Sequence, residues 1–148
     1  TITNSVFYAN TAPAIAPRMD PGSLDVISST FFGNSAVVSS GEQTTRFLSC
    51  VLWGNGSNPF GAPVTLEYSD VEGPAATGTN FSADPLFVST TPGAIDLRLS
   101  PGSPCIDRAP FNASIPVKDF LGNDRYDVPT IANLNGSAAD LGAHEYRP

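Results

Sequence analysis

A nine-residue pattern that occurs three times in the first part of the chain is the feature that most limits its fold. The copies are residues 2–10, 26–34 and 47–55, and each ends in an aromatic residue, then Ala or Gly, then Asn. The final asparagines are 24 and 21 residues apart, and a degenerate fourth copy is present at 66–73. Such periods are typical of β-solenoids, whose coils bury only one side of their strands and must stack. The pattern predicts an all-β solenoid, and three similar hairpin strands of a sandwich are the alternative.

The asparagines that end the copies, Asn10, Asn34 and Asn55, predict a ladder at one corner of the stacked coils. Asparagine tolerates the left-handed backbone of a sharp turn, and stacked side-chain amides can hydrogen-bond from coil to coil. By the same alignment, Phe7, Phe31 and Leu52 are expected to stack as a column in the interior.

A second column of the repeat is aromatic in all three copies, at Tyr8, Phe32 and Trp53. If this column faces outward, it forms a ladder suited to stacking on sugar rings, and if it faces inward, it is part of the core. Alternation along the strand does not decide between these, because solenoid strands bend at corners.

The charge balance disfavours two classes of partner. The chain has 14 acidic and 7 basic residues, a net charge of -7, and Lys118 as its only lysine. Such a chain repels phosphate backbones and anionic lipid headgroups, and it contains no apolar run near the length that spans a bilayer. We therefore expect neither nucleic-acid binding nor membrane insertion.

After residue 73 the repeat stops, and prolines exclude central strands from much of the second half of the chain. We divide the chain into solenoid coils, 1–73, and an irregular cap of short strands and turns, 74–148, lying across the end of the solenoid. Several motifs of this second half occur in a fixed order, at 84–87, 97–99, 101–107, the Asp119/Gly122/Arg125 cluster and 140–146. Together with the upstream repeats, they resemble the C-terminal region of bacterial right-handed parallel β-helix repeat proteins of the choice-of-anchor Q type.

The resemblance covers nearly the whole chain and implies a bacterial protein exported to the cell surface or the extracellular space. It also implies that the motifs containing Cys50 and Cys105 meet, so a disulfide between them is expected, and two unrelated buried thiols are the alternative. Because Thr1 lies in the middle of a pattern, we expect the chain to be the last coils and cap of a longer protein. Upstream coils or another subunit would then cover its N-terminal edge.

The late acidic residues Asp119, Asp124, Asp127 and Asp140 allow two interpretations. Loops rich in carbonyl groups could hold calcium with them, although the spacing of an EF-hand is absent. The alternative, which we favour, is that they bind backbone groups in turns and that Asp140 or Glu145 pairs with Arg125. No cofactor is otherwise expected.

These features favour an extracellular structural or adhesive protein without catalysis in this segment. One rival is a polysaccharide-binding or polysaccharide-cleaving surface protein of the pectate-lyase kind, for which Asp70 and Glu72 are the best carboxylate pair. The other rival is an assembly subunit that stacks through its open N-terminal edge. The single histidine, His144, lies in the terminal motif and predicts a structural role.

Overall fold

The structure, a computed structural model, describes residues 1–17, 19, 21–73, 77–133 and 135–148. This part of the chain contains strands and turns but no helix. The strands are β1 (Ile2–Thr3), β2 (Val6–Tyr8), β3 (Ser23–Ile27), β4 (Thr30–Phe32), β5 (Thr44–Leu48), β6 (Val51–Trp53), β7 (Val64–Glu67), β8 (Asp70–Val71), β9 (Phe87–Ser89) and β10 (Asp96–Leu99). Within the described ranges, no helix is long and apolar enough to cross a membrane.

The first eight strands form a parallel β-solenoid of about three turns, so the predicted fold class is confirmed. The first sheet has the order β1-β3-β5-β7 and the second sheet has the order β2-β4-β6-β8. On the third side, the described residues form isolated parallel bridges, from Ile15 to Val38 and from Val38 to Phe60. Each coil therefore runs through two strands and one loosely paired side.

The strand register matches the alignment of the repeats. Phe7 pairs with Phe31, and Phe31 pairs with Leu52, so that equivalent positions form columns along the solenoid. The rings of Phe7 and Phe31 are stacked with centroids 4.7 Å apart. Together with Val26 and Phe47 of the first sheet, these side chains form the interior core.

Both corners that flank the second sheet depend on residues with left-handed backbone. At the corner before the sheet these residues are Asn4, Ser28, Ser49 and Tyr68, and at the corner after it they are Ala9, Gly33, Gly54 and Gly73. The asparagines of the ladder are not among them, so the prediction that Asn makes the sharp turn is wrong for Asn10, Asn34 and Asn55. The small residue before each asparagine takes this conformation, which glycine adopts without steric cost.

The second half of the chain lies against the outer face of the second sheet, except that residues 77–83 continue the coils at one end. Phe81 forms a parallel bridge with Asp70 there. The backbone N–H of Gly142 donates to Ser49 O (2.9 Å) and that of Ala143 donates to Thr30 Oγ1 (3.0 Å). The cap thus runs along the side of successive coils, whereas the sequence analysis placed it across an end. Residues 74–76, where the predicted boundary falls, are outside the described ranges.

A second hydrophobic core forms between the second sheet and this cap. Val51 of β6 and Trp53 pack there against residues from the second half, among them Ile106 and Leu141. The antiparallel pair β9–β10 contributes Phe87 and Leu99 to it. The solenoid therefore has one core inside its coils and a second core on its flank, with the second sheet as the wall between them.

Candidate functional site

The predicted asparagine ladder is present as a chain of hydrogen bonds between coils. Nδ2 of Asn10 donates to Oδ1 of Asn34 (2.6 Å), and Nδ2 of Asn34 donates to Oδ1 of Asn55 (2.9 Å). The amides of Asn34 and Asn55 also donate to the carbonyl oxygens of Phe7 and Phe31, each at 3.0 Å. Asn34, at the centre, is only 2% exposed. The side chains satisfy backbone groups that the corner itself leaves unpaired, so the ladder's role is structural.

A second ladder lies at the other corner and was not predicted. Its rungs are Ser5, Ser29, Cys50 and Ser69. The side chains of the last three accept the backbone N–H of the preceding rung, and Asn80 Oδ1 accepts the N–H of Ser69. Each rung also donates its hydroxyl or thiol to the carbonyl two residues earlier. The repeat marks this position only as small, and the shared ability of Ser and Cys to donate and accept was the available signal.

Cys50 and Cys105 are both free and buried, so the predicted disulfide is not formed. Cys50 lies in the interior core and Cys105 lies in the flank core, on opposite sides of the second sheet. Burial raises the pKa of Cys50 to about 12. Burial and the neighbouring carboxyl of Asp70, 3.3 Å from its sulfur, raise the pKa of Cys105 well above its ordinary value. Neither thiol has the exposed, electropositive setting of a reactive cysteine.

The aromatic column Tyr8, Phe32 and Trp53 faces outward, but the cap covers most of it. Phe87 packs edge-on against Phe32 with ring centroids 5.6 Å apart. Trp53 packs against the flank core, and Tyr8 alone is exposed, at 51%. The column therefore does not offer the continuous platform that stacking on a sugar chain requires.

Arg125 pairs with Glu145 in a mostly buried cluster of the cap. Its Nη1 lies 2.8 Å from Glu145 Oε2, and its Nε donates to the carbonyl of Pro116. Asp140 does not contact Arg125. It accepts the backbone N–H groups of Asp107 and Tyr146. The ion pair thus fastens two segments of the cap, with Glu145 as the partner.

Burial and repulsion between neighbouring carboxylates raise the pKa values of the acidic residues in this cluster. Burial, followed by the charge of Glu145, raises the pKa of Asp140 to about 8. Burial also raises the pKa of Asp107 to about 6. Glu145 has the arginine as a cationic partner and Asp140 accepts only backbone N–H groups, so burial and the neighbouring charge disfavour ionisation of Asp140 more than that of Glu145.

Of the four acidic residues considered for calcium, Asp119, Asp124 and Asp140 have other partners, and Asp127 is exposed. Asp119 accepts the N–H groups of Leu121, Asn123 and Glu145, and Asp124 pairs with Lys118 at 2.8 Å. Burial opposes ionisation of Asp119, but these hydrogen bonds outweigh it and lower the pKa. No group of three or more His, Cys, Asp or Glu residues that could hold a metal ion occurs among the described residues.

The candidate carboxylate pair Asp70 and Glu72 is not assembled for catalysis. Asp70 is fully buried beneath the cap, where burial raises its pKa to about 6, and its Oδ1 accepts the N–H of Ala83. Glu72 is exposed and accepts the N–H of Gly54 at 2.7 Å. His144 is 9% exposed and packs edge-on against Phe120, and burial lowers its pKa. These three residues support the fold.

No family model, curated protein or solved structure matches the chain. Its geometry is therefore the only guide to its function.

Two cavities lie near the end of the coils. One, of about 420 Å³, opens between the interior residues Leu52 and Val71 and the loop containing Phe60. The other, of about 280 Å³, lies between the last coil and the cap and is lined by polar and aromatic side chains.

Proposed function

We propose that this chain is an extracellular structural or adhesive element: a short solenoid rod whose second sheet is sealed by its cap and whose first sheet faces outward. The observation that carries the proposal is the covering of Phe32 and Trp53 by the second half of the chain. A protein that binds a sugar chain through this aromatic column would keep the rings of the column exposed to solvent.

The outer face of the first sheet supports the proposal. It carries a row of charges, in which Arg46 makes two hydrogen bonds to Glu67, at 2.8 and 2.9 Å, and lies 3.7 Å from Asp25. The hydrogen bonds from Arg46 lower the pKa of Glu67. Charges on a sheet face keep it soluble and are suited to polar contacts with other surfaces. Export to the surface of a bacterium remains part of the proposal, because the acidic, lysine-poor composition favours it.

Bead retention tests the adhesive role. Beads coated with the protein are passed over immobilised bacterial envelopes, and we expect retention above that of albumin-coated beads. Thr65→Tyr, which places a bulky side chain on the outer face of the first sheet, should reduce retention. Ser57→Tyr, an equally bulky change in an exposed loop, serves as the matched control. Equal retention of both variants and the parent would contradict adhesion through this face.

A reaction assay tests the rival activity. The protein is incubated with a panel of neutral and acidic polysaccharides while reducing ends and unsaturated sugar products are measured. We expect no product above the buffer control. Product that increases in proportion to protein concentration would replace the structural proposal with the polysaccharide-cleaving alternative.

A further inference from the structure

The cavity of about 280 Å³ between the last coil and the cap contains an unusually placed arginine. The guanidinium carbon of Arg108 lies 4.4 Å from the centroid of the Phe81 ring. A guanidinium held over an aromatic face in this way can still donate its N–H groups to other partners. Stacking also restricts the side chain before any ligand arrives, which reduces the entropy lost on binding.

Three polar groups that line this cavity have no hydrogen-bond partner within the described ranges. They are the guanidinium of Arg108, the hydroxyl of Tyr68 and the side-chain oxygen of Asn135. The other polar side chains of the wall are engaged. Thr79 Oγ1 accepts the N–H of Tyr68, and Asn80 bonds the backbone of the last coil. The cavity thus combines a fixed cation with a free phenol and a free amide oxygen.

The wall that carries these groups is held from both sides. The Asn135 amide donates to the carbonyl of Arg108, and Phe111 N–H donates to the carbonyl of Asn135. On the opposite side, Phe81 is paired with the last coil through Asp70. Each side of the site is therefore held by its own hydrogen bonds, and the contact of Arg108 with the Phe81 ring joins the two sides.

The chemistry of the cavity selects an acidic sugar residue. A planar guanidinium fork matches a carboxylate, and a phenol and an amide oxygen match sugar hydroxyls. The volume lies at the small end of ligand pockets, near about 300 Å³, which fits one residue and not a long segment. The net charge of -7 disfavours a polyanion. We propose that this cavity binds a single uronate residue, at a glycan end or as a free sugar, with its carboxylate on Arg108.

Calorimetric titration of the intact chain tests the proposal, with D-glucuronate, D-glucose and inorganic phosphate as probes. We expect saturable binding of glucuronate with a Kd of the order of 1 mM, and at least about tenfold weaker binding of glucose, because the carboxylate contact is charge-assisted. Phosphate tests whether the site takes any oxyanion. Binding of phosphate or glucose as tightly as glucuronate would overturn the assignment.

Variants locate the binding. Arg108→Gln should weaken glucuronate binding about tenfold or more, and Arg108→Lys should weaken it less, because lysine keeps the charge but loses the fork. Tyr68→Phe should weaken it about threefold, through loss of one hydrogen bond. Arg98→Gln, which removes an exposed arginine outside this cavity, is the control and should bind as the parent does. Unchanged affinity in Arg108→Gln would refute the site.

The result is separate from the proposed structural role. If glucuronate does not bind, the cap still covers the aromatic column, and the proposed structural or adhesive role stands. The bead experiment in turn tests the outer face of the first sheet and does not depend on Arg108. Thermal unfolding of each variant distinguishes lost binding from lost folding, and the comparison of the three probes on the parent protein requires no variant.

Discussion

Asn34 is the residue on which the predicted ladder most depends, because its side chain is bonded to the coils on both sides. Replacing it with alanine leaves the amide and backbone groups of its neighbours unpaired in a buried corner, where each unpaired group costs about 1–3 kcal/mol. We expect Asn34→Ala to lower the free energy of unfolding by about 3 kcal/mol. Asn10→Ala, at the exposed end of the same ladder, should cost less than about 1 kcal/mol.

Equilibrium unfolding in urea measures both variants. The comparison isolates the effect of position in the ladder, since the two substitutions are chemically identical. Similar losses for Asn34→Ala and Asn10→Ala would show that the hydrogen bonds of the ladder do not depend on burial.

The two thiols lead to a prediction about reactivity. Because Cys50 and Cys105 are fully buried and have raised pKa values, a thiol reagent at neutral pH should label neither in the folded protein. Both should be labelled in denaturant. Mass spectrometry after labelling measures this directly, and a protein that gains no label even in denaturant would contain the disulfide that the structure lacks.

Among the elements, the segment 139–148, which we call the terminal segment, packs so closely on the second sheet that its docking is sensitive to volume. A Cβ atom on Gly142 would lie 2.6 Å from Thr30 Oγ1 and 3.1 Å from Val51 Cγ2. Gly122 has nearly the same backbone, with φ of 82° against 85°, and nothing within 4 Å of its Cβ position. Both substitutions to alanine incur the cost of left-handed backbone, about 1–2 kcal/mol, and only Gly142→Ala adds a collision.

We therefore expect Gly142→Ala to destabilise the protein by at least about 1–2 kcal/mol more than Gly122→Ala. Amide hydrogen exchange of the flank core should also quicken in the Gly142 variant alone. Equal stability of the two variants would mean that the terminal segment does not approach the second sheet so closely.

The buried carboxyls of the cap predict an unusual pH dependence. The pKa values of Asp140, Asp107 and Asp70, at about 8, 6 and 6, lie above their unfolded values. From about pH 4 to 8 the folded state holds protons that the unfolded state releases, so their contribution to stability is lost as pH rises through the folded pKa values. The pKa values of Asp119 and Glu67 are lowered. These two carboxylates therefore stabilise the folded state near neutral pH, and this stabilisation is lost only in acid, as the pH falls through their folded pKa values.

Thermal unfolding measured between about pH 7 and pH 9 should show a Tm that falls as pH rises, whereas below this range the lowered pKa of His144 acts in the opposite direction. Asp140→Asn cannot ionise, so its Tm should fall less steeply over this range, whatever its absolute stability. The slope is the informative quantity, because the amide also changes the hydrogen bonds to Asp107 and Tyr146. A parent Tm that rises toward pH 9 would contradict the assigned protonation.

The coils could be predicted from sequence because each coil repeats the same local requirements. The pattern aligned Phe7, Phe31 and Leu52 in the register that the strands adopt. The pattern wrongly placed the left-handed backbone conformation on the asparagine. Both asparagine and the small residue before it are common in sharp turns, so the sequence alone did not distinguish them. The position of the cap could not be predicted, since it depends on contacts between residues such as Gly142 and Thr30, 112 positions apart in the sequence.

At the scale of the whole molecule, the two cores share one wall. Val51 packs into the flank core, while its neighbour Leu52 packs into the interior core, so the second sheet cannot lose its strands without exposing both. Such shared burial is what makes unfolding cooperative. It also explains why the disulfide prediction was wrong, because Cys50 and Cys105 are near in the fold but lie on opposite sides of this wall.

Trp53 is the only tryptophan, and it lies on the outer face where the cap covers the coils. Its fluorescence therefore reports removal of the cap, whereas far-ultraviolet circular dichroism reports loss of the strands. Because the two cores share the second sheet, both signals should change at the same urea concentration in the parent protein. In Gly142→Ala, where docking of the cap is weakened, the fluorescence transition should move to lower urea than the dichroism transition. Separate transitions in the parent would instead mean that coils and cap fold independently and that the cap only rests on a self-sufficient solenoid.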